Sequence, residues 1–204
     1  MPRIAEARTA AEPSSPDQRA RQLRILKAAL QLGSETDLDH VQMHEVAKRA
    51  RVAIGTLYRY FPSKTHLFVG VMVDQIERMG ASLADRPWAR ADPAERVFDV
   101  LVRANRALLS KPDLAKTMVQ SYSAANAATV TDVARIGNTM RDVLLEVAGI
   151  DSPTEEDLAI LRVLIQAWGG ILQATINGRL APVEAEGDLR LACGLMMAGT
   201  SAGG

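Results

Sequence analysis

The chain has 204 residues with 24 acidic and 24 basic side chains, so its formal net charge is zero. This length accommodates one large domain or two small ones, and 48% hydrophobic residues suffice for a substantial core. The charge is uneven: residues 1–64 hold 11 Lys and Arg against 7 Asp and Glu, and residues 65–204 hold 13 against 17. A basic N-terminal segment followed by an acidic C-terminal segment is typical of a DNA-binding module joined to a module that does not bind DNA.

Cysteine content and hydropathy exclude several other classes. Cys193 is the only cysteine, which excludes an internal disulfide framework and a Cys-rich zinc site and suits a reducing cytoplasm. No unbroken apolar run of 18 residues occurs, and the N-terminus lacks the apolar segment of a signal peptide. We therefore expect a cytoplasmic protein with no membrane partner. Residues 1–16 are expected to form a disordered arm. Its arginines are either solvated or make additional contacts with DNA phosphates.

Apolar residues recur at helical spacing through almost the whole chain, and no segment shows the sustained alternation of a strand. The fold class is therefore predicted to be all-α. Residues 17–64 are assigned to a three-helix helix-turn-helix domain, and residues 65–204 to a helical ligand-binding and dimerisation domain. The predicted helices, in chain order, span 17–33, 42–50, 53–60, 64–83, 93–110, 112–120, 124–148, 154–178 and 183–198.

The helix at 154–178 carries two apolar stripes where a surface helix needs one. One stripe runs from Leu161 through Trp168 to Ile176, and the other from Ile160 through Leu164 to Ala174. We expect one stripe to face the protomer core and the other to face a partner subunit. Gly169-Gly170 costs helix stability, about 1 kcal/mol per glycine, and close approach of another helix would explain this cost.

Residues 41–64, VQMHEVAKRARVAIGTLYRYFPSK, contain two short helical patterns joined by a tight junction. Two helices that cross steeply need a small residue at the crossing point, and Ala47 is in that position. Val46, Val52 and Leu57 are predicted to fix the crossing angle. Arg51 stands in the turn where glycine is usual, because a left-handed backbone is favoured there.

The second of these helices would place its exposed side chains in the major groove of DNA. Arg59 is the long side chain able to bond a guanine edge, whereas Thr56, Tyr58 and Tyr60 offer hydroxyl groups to phosphates. Lys64 begins the next helix, with Ser63 as the expected N-cap, and can bind a phosphate there. The alternative is that Tyr58, Tyr60 and Phe61 are core aromatics. The positions predicted to contact DNA are Gln42, Met43, His44, Ile54, Gly55, Thr56, Tyr58, Arg59, Tyr60 and Lys64.

The segment IGTLYRYFPSKTHLF resembles the DNA-binding signature of the TetR family of transcriptional repressors, matching it from Gly55 through Lys64 and Leu67. Within that family, residues 41–64 most resemble the KstR-type repressors of steroid catabolism. The resemblance implies a homodimer whose last two long helices form a four-helix bundle with their symmetry mates. It also implies a near-palindromic DNA operator and the DNA contacts named above.

A pocket for a small hydrophobic effector is expected among the helices between 93 and 178, next to the helix at 64–83. The many Met and Leu residues suit a large apolar ligand, with a few polar groups to orient it. The resemblance implies a sterol-derived acyl-CoA or related lipid as the effector. The predicted wall residues are Met72, Leu101, Asn105, Leu108, Met118, Tyr122, Asn126, Met140, Gln166 and Trp168.

Two alternatives remain at this point, an enzyme and a DNA-binding regulator without a small-molecule ligand. The enzyme is disfavoured because the sequence has no phosphate loop, dinucleotide-binding glycine run or nucleophile elbow, and no cofactor is expected. His40, His44 and His66 form no HxxxH pair and lie far in sequence from Cys193. The ligand-free regulator would be recognised by the lack of an enclosed apolar cavity.

Overall fold

A computed structural model describes residues 10–36, 38–83, 92–125, 130 and 132–202. Within these ranges the secondary structure consists of nine α-helices and one short 3₁₀ turn, Leu38–His40, which confirms the predicted all-α class. The helices are α1 Pro16–Glu35, α2 Met43–Ala50, α3 Ile54–Tyr60, α4 Lys64–Leu83, α5 Pro93–Leu109, α6 Pro112–Ala124, α7 Asp132–Ala148, α8 Glu155–Ile176 and α9 Pro182–Met197.

Most helix ends lie within two residues of their predicted positions because capping side chains mark them. Ser15 Oγ accepts the Gln18 backbone N–H at the start of α1, and Asp92 Oδ1 accepts the Ala94 N–H at the start of α5. The prediction of a helix at 124–148 is wrong at its start, since α6 continues to Ala124 and α7 begins at Asp132.

The chain divides into two compact units. The first comprises residues 1–74 and 113–134, and glycines mark its tightest helix contacts. A Cβ at Gly33 would lie 2.8 Å from Phe68 Cε1, and a Cβ at Gly70 would lie 2.8 Å from Phe61 Cε1. Gly33 therefore packs inside α1 instead of ending it, which is why the predicted end at residue 33 is two residues short.

The second unit comprises residues 75–112 and 135–204, and α5, α8 and α9 pack against one another in it. α9 buries a residue on each turn of its inner face, at Ala185, Leu189, Cys193 and Met197. Two charged contacts also join α5 to α9. Arg106 donates two hydrogen bonds of 2.7 Å to the Glu186 carboxylate, and Arg190 pairs with Glu95 while its guanidinium lies 3.9 Å from the ring centre of Phe98.

The compact units do not follow the predicted boundary at residue 64. α4 is divided at residue 74, and α6 belongs to the first unit, where Leu114 Cδ1 lies 3.1 Å from a Cβ built at Gly33. The first unit therefore includes more of the chain than residues 17–64. The assignment of residues 17–64 to DNA binding remains a prediction about function.

Buried Asp157 joins the start of α8 to the residues after α9. Asp157 Oδ2 accepts the backbone N–H and the hydroxyl of Thr154, at 2.8 and 2.7 Å, while Oδ1 accepts the backbone N–H of Ser201 at 2.8 Å. Hydrogen bonds from the backbone N–H groups of Ser201 and Thr154 lower the pKa of Asp157 to about 2. The carboxylate is therefore charged. Its hydrogen bonds hold Ser201, which lies 44 positions later in the sequence, against the start of α8.

Candidate nucleic-acid interface and ligand site

The junction between α2 and α3 has the geometry that a helix-turn-helix needs. Arg51 has φ 54° and ψ 50°, which confirms the predicted left-handed backbone at a residue other than glycine. Its N–H bonds the Lys48 carbonyl, and the Val52 N–H bonds the Ala47 carbonyl, so two of the last four carbonyls of α2 have partners in the turn. The chain then reverses after Ala50 within three residues.

The angle between α2 and α3 is fixed by buried apolar side chains. Val46 and Ala47 on α2 and Leu57 on α3 are almost completely inaccessible to solvent, as predicted. Val52 is only partly buried, so it contributes less to fixing the angle between α2 and α3 than the sequence suggested. Because this packing holds α3 from one side, its opposite side remains in solvent.

The solvent-facing side of α3 carries the polar and apolar groups that could reach a DNA groove. Ile54 and Tyr58 are 43% and 41% exposed, and Gly55 and Arg59 are also exposed. Nothing lies within 4 Å of a Cβ built at Gly55, so another molecule could approach the backbone closely there. Thr56 is partly buried beside these residues.

Tyr60 does not belong to this exposed surface, which corrects the prediction that it faces DNA. It is 1% exposed, because it follows Leu57 by three residues and therefore shares the buried side of α3. Its hydroxyl oxygen accepts a 3.1 Å hydrogen bond from Arg59 Nη2, and the Arg59 guanidinium lies 4.9 Å from the ring centre. Tyr60 thus positions Arg59, and sequence reasoning missed this role.

The three residues at the start of α2 that were predicted to contact the DNA backbone differ in their exposure to solvent. Gln42 and His44 are exposed, as a contact with the DNA backbone requires. Met43 is buried, because it shares the inner face of α2 with Val46 and Ala50, so its predicted DNA contact is wrong. Two of the three positions therefore remain available to a neighbouring phosphate.

Lys64 lies at the first turn of α4 and is partly buried. Its Nζ donates a 3.3 Å hydrogen bond to the backbone carbonyl of Asp39 in the 3₁₀ turn. Ser63 Oγ accepts the backbone N–H of His66 at 3.3 Å, which confirms Ser63 as the cap of α4. The ammonium group is thus held near the N-terminal end of the helix.

The segment before α1 contacts α3. The backbone N–H of Ala11 donates a 3.0 Å hydrogen bond to the backbone carbonyl of Arg59. The prediction of a disordered arm at 1–16 therefore does not describe residues 11–15, while residues 1–9 lie outside the described residues. This contact leaves no signal in the sequence, because a backbone hydrogen bond needs no particular side chain.

The residues predicted to line a ligand pocket are divided between the two units. Met72 and Met118 are buried in the first unit, where Tyr122 is partly buried. Asn126 lies outside the described residues. In the second unit four of the predicted residues are buried and Leu108 is partly buried, the four being Leu101, Asn105, Met140 and Trp168.

Gln166 is exposed, so it is not among the buried residues predicted to line the pocket, and its place in the pocket wall stays a prediction. It lies on the face of α8 turned away from Trp168, where Val163 and Gly170 are also exposed. The prediction that one of the two apolar stripes of this helix faces a partner subunit stays a prediction, because a single protomer does not test it. Residues of both predicted stripes are buried or partly buried, and the exposed face is a third one that neither stripe included.

Three buried polar side chains have an atom without a hydrogen-bond partner among the described residues. They are Asn105 through Oδ1, Trp168 through Nε1 and Ser121 through Oγ. Asn105 and Trp168 were predicted to line a ligand site. Ser121 was missed, although it lies between Gln120 and Tyr122, because a serine on a helix gives no signal of burial by itself.

Cys193 lies on the buried face of α9. Burial raises the pKa of the Cys193 thiol to about 12, so the thiol is protonated at neutral pH and a poor nucleophile. No group of three or more His, Cys, Asp or Glu residues suited to a metal ion occurs within the described parts of the chain. Neither finding identifies a further reactive centre.

By length and composition, α8 could cross a membrane, and 28% of its most apolar window is buried. The sequence search overlooked it because Arg162 and Gln166 interrupt the apolar run. An interface helix of a protein without membrane spans passes the same test. Large exposed apolar side chains on α8 and α9 are Val163, Val183, Leu191 and Leu195.

Comparison with known proteins agrees with this geometry. Residues 25–71 match the family described as bacterial regulatory proteins, tetR family, and residues 91–196 match the tetracyclin repressor-like C-terminal domain. The chain is 36% identical to the HTH-type transcriptional repressor KstR of Rhodococcus jostii (strain RHA1), over 90% of this chain and 86% of that protein. It is 34% identical to KstR of Mycolicibacterium smegmatis (strain ATCC 700084 / mc(2)155), over 91% of each.

A crystal structure of a TetR transcriptional regulator from Rhodococcus sp. RHA1 is 54% identical to the chain. The match covers 89% of this chain and 97% of that one, with a TM-score of 0.84. The two KstR proteins are named as transcriptional repressors, and the third protein is named as a transcriptional regulator. The chain is therefore a DNA-binding member of the TetR family of helix-turn-helix transcriptional repressors.

Proposed function

We propose that a homodimer of this chain represses transcription at a near-palindromic operator and is released from it by a hydrophobic effector. The observation that carries the proposal is the exposed side of α3, where Tyr58 and Arg59 are in solvent while Leu57 anchors the helix. In a helix-turn-helix, the side opposite the anchor is the one that enters the major groove.

On this surface Arg59 is the residue proposed to read a base. Its guanidinium can donate two hydrogen bonds to a guanine edge, and Tyr60 limits the orientations available to it before DNA binds. Thr56, Tyr58 and Lys64 are proposed to bond phosphates, which fix position without carrying sequence information. Gln42 and His44 would contact the flanking backbone, and Ile54 and Gly55 would lie against the groove.

The proposed dimer interface is the exposed face of α8 and α9. On α9 the exposed residues Val183, Gly187, Leu191 and Leu195 recur every four positions and form one continuous face. A Cβ at Gly169 or Gly170 on α8 meets nothing within 4 Å, which leaves room for close approach by a second helix. Large apolar side chains in solvent indicate an interaction surface, and a second copy would bury them symmetrically.

The effector is proposed to be a sterol- or lipid-derived molecule such as an acyl-CoA. The similarity to KstR supports this class, and the buried Met and Leu side chains of the second unit suit a large apolar body. Release would be a population shift, in which the ligand favours a conformation whose two α3 helices no longer match successive major grooves. The second candidate, a regulator without a small-molecule ligand, is disfavoured by the unpartnered buried polar atoms of Asn105 and Trp168.

The experiment that tests this proposal begins with selection of bound duplexes from a random DNA pool. A near-palindromic consensus with half-sites about one helical turn apart is the expected result. Displacement from that consensus is then measured with a panel of sterols, fatty acids and their CoA thioesters. Selection of no consensus would refute specific repression, whereas a consensus that no lipid displaces would refute the effector class alone.

A further inference from the structure

We infer that residues 11–15, called here the N-terminal strap, position Arg59 for base reading by holding the end of α3. The inference rests on the proposed function, in which Arg59 reads a base. The contact that carries it is the 3.0 Å hydrogen bond from the backbone N–H of Ala11 to the backbone carbonyl of Arg59. The strap has the sequence AEPSS, with one acidic and no basic side chain, so attraction to phosphates is not its contribution.

The N-terminal strap is fixed at both of its ends. At its C-terminal end, the Ser14 N–H donates a 3.0 Å hydrogen bond to Gln18 Oε1, and Ser15 Oγ accepts the Gln18 N–H at 3.3 Å. Both bonds hold the strap to the first turn of α1. At its other end, Ala11 is bonded to α3. The strap therefore joins the start of one helix to the end of another.

Between these two ends, every second residue of the strap faces the protein. Ala11, Pro13 and Ser15 are partly buried, whereas Glu12 and Ser14 are exposed. This alternation is that of an extended chain lying along a surface, and Ser15 has the extended backbone angles φ −134° and ψ 160°. The strap thus belongs to the packed first unit, and it can serve as a fixed support for Arg59.

The bond from Ala11 reaches a carbonyl group that α3 cannot satisfy by itself. The last carbonyl groups of a helix have no N–H partner within it, and in α3 the Phe61 N–H takes the Leu57 carbonyl at 2.8 Å. Arg59 lies one residue before the end of α3, and the strap supplies the partner of its carbonyl. Because α3 has only seven residues, its own hydrogen bonds hold its last turn weakly, and outside support matters more.

Arg59 is held both at its backbone and at the tip of its side chain. The strap bonds the backbone carbonyl, while Tyr60 accepts a hydrogen bond from Nη2 and lies under the guanidinium. Order imposed before binding lowers the cost of ordering the side chain on DNA. A guanine edge must be met by two hydrogen bonds in fixed directions, so base reading depends on the position of this turn.

The inference is tested in the full chain with Ala11→Pro, because proline has no backbone N–H to donate. Affinity for the selected operator should fall about two- to tenfold per half-site, the cost of one backbone hydrogen bond. Discrimination at the base pair assigned to Arg59 should fall by the same factor. The slope of affinity against salt concentration should not change, because no phosphate contact is removed.

Ala10→Pro is the matched control, since the Ala10 N–H makes no hydrogen bond to the described part of the chain. It should behave as the wild type. If Ala11→Pro and Ala10→Pro lose discrimination equally, the hydrogen bond is not the cause and the inference is overturned. An Ala11→Pro variant that only lowers the urea midpoint, with discrimination unchanged, would make the strap a purely structural element and would also overturn it.

Combining Ala11→Pro with Arg59→Ala shows whether the strap acts through Arg59. Without the Arg59 side chain there is nothing to position, so Ala11→Pro should cause no further loss of affinity. A loss of the same size in both backgrounds would contradict the inference. If Arg59→Ala itself keeps discrimination at every base pair, the proposed role of Arg59 fails and the inference fails with it. If Arg59→Ala loses discrimination and Ala11→Pro retains it, the inference alone is overturned.

Discussion

Arg51 has a left-handed backbone, and replacing it with glycine should stabilise the protein. At φ 54° and ψ 50° the Cβ of an L-residue crowds the following carbonyl oxygen, which costs roughly 1–2 kcal/mol. Glycine avoids this crowding but loses more backbone entropy on folding, by roughly 0.5–1 kcal/mol. The expected net effect of Arg51→Gly is a gain of roughly 0–1.5 kcal/mol in the free energy of unfolding, centred near 0.75.

The gain is measured by urea unfolding at one fixed protein concentration, because dimerisation makes apparent stability depend on concentration. Arg51→Ala is the matched control, since it removes the same exposed guanidinium but keeps the Cβ. The control should show little change. An equal gain in both variants would mean that the charged side chain, and not the backbone, is the source of the strain, and the reasoning would be refuted.

Three further predictions concern packing, acid stability and assembly. Gly70→Ala should lower the free energy of unfolding by about 1–3 kcal/mol, because its Cβ would meet Phe61 at 2.8 Å; an unchanged urea midpoint would contradict this contact. Asp157 has a pKa of about 2 when folded against about 3.9 when unfolded, so it contributes stability above pH 4 that is lost as the pH falls towards 2. In Asp157→Asn the unfolding midpoint should be lower at neutral pH, and its difference from the wild type should shrink across that window; a constant difference would argue against the charged cluster. Leu195→Glu, at an exposed site on α9, should yield monomers in sedimentation experiments, and a dimer of unchanged strength would place the interface elsewhere.

The sequence predicted the helices well because their ends carry local chemical signals. Ser63 caps α4, and that helix has the predicted bounds of 64 and 83. The left-handed turn at Arg51 was also predictable, since a tight reversal between two short helices requires it. These features depend on residues close together in the chain.

Side-chain orientation on the short and the most apolar helices was harder to predict. In α3, Tyr60 follows the buried Leu57 by three residues and shares its side, but its hydroxyl group, like that of the exposed Tyr58, suggested a phosphate contact. α8 is apolar around most of its circumference, so the pattern could not place Gln166 on the outer face and Trp168 on the inner one. In both cases the neighbouring helices determine which side is buried.

Contacts between distant residues left no sequence signal at all. Ser201 bonds Asp157 across 44 positions, and Ala11 bonds the carbonyl of Arg59 across 48. The assignment of α6 to the first unit likewise depends on Leu114 approaching Gly33. Such pairs become visible only when the fold brings them together.

Arg59 on the exposed side of α3 is the residue proposed to read a base, and one comparison of variants tests this role most directly. Affinity for the selected operator, and for operators changed at each base pair, is measured for the wild type, Arg59→Ala and Arg179→Ala. Arg59→Ala should bind the operator more weakly by about 1–3 kcal/mol and lose discrimination at one base pair of each half-site. Arg179→Ala, an exposed arginine after α8, should behave as the wild type. An Arg59→Ala variant with unchanged affinity and unchanged discrimination would contradict the account.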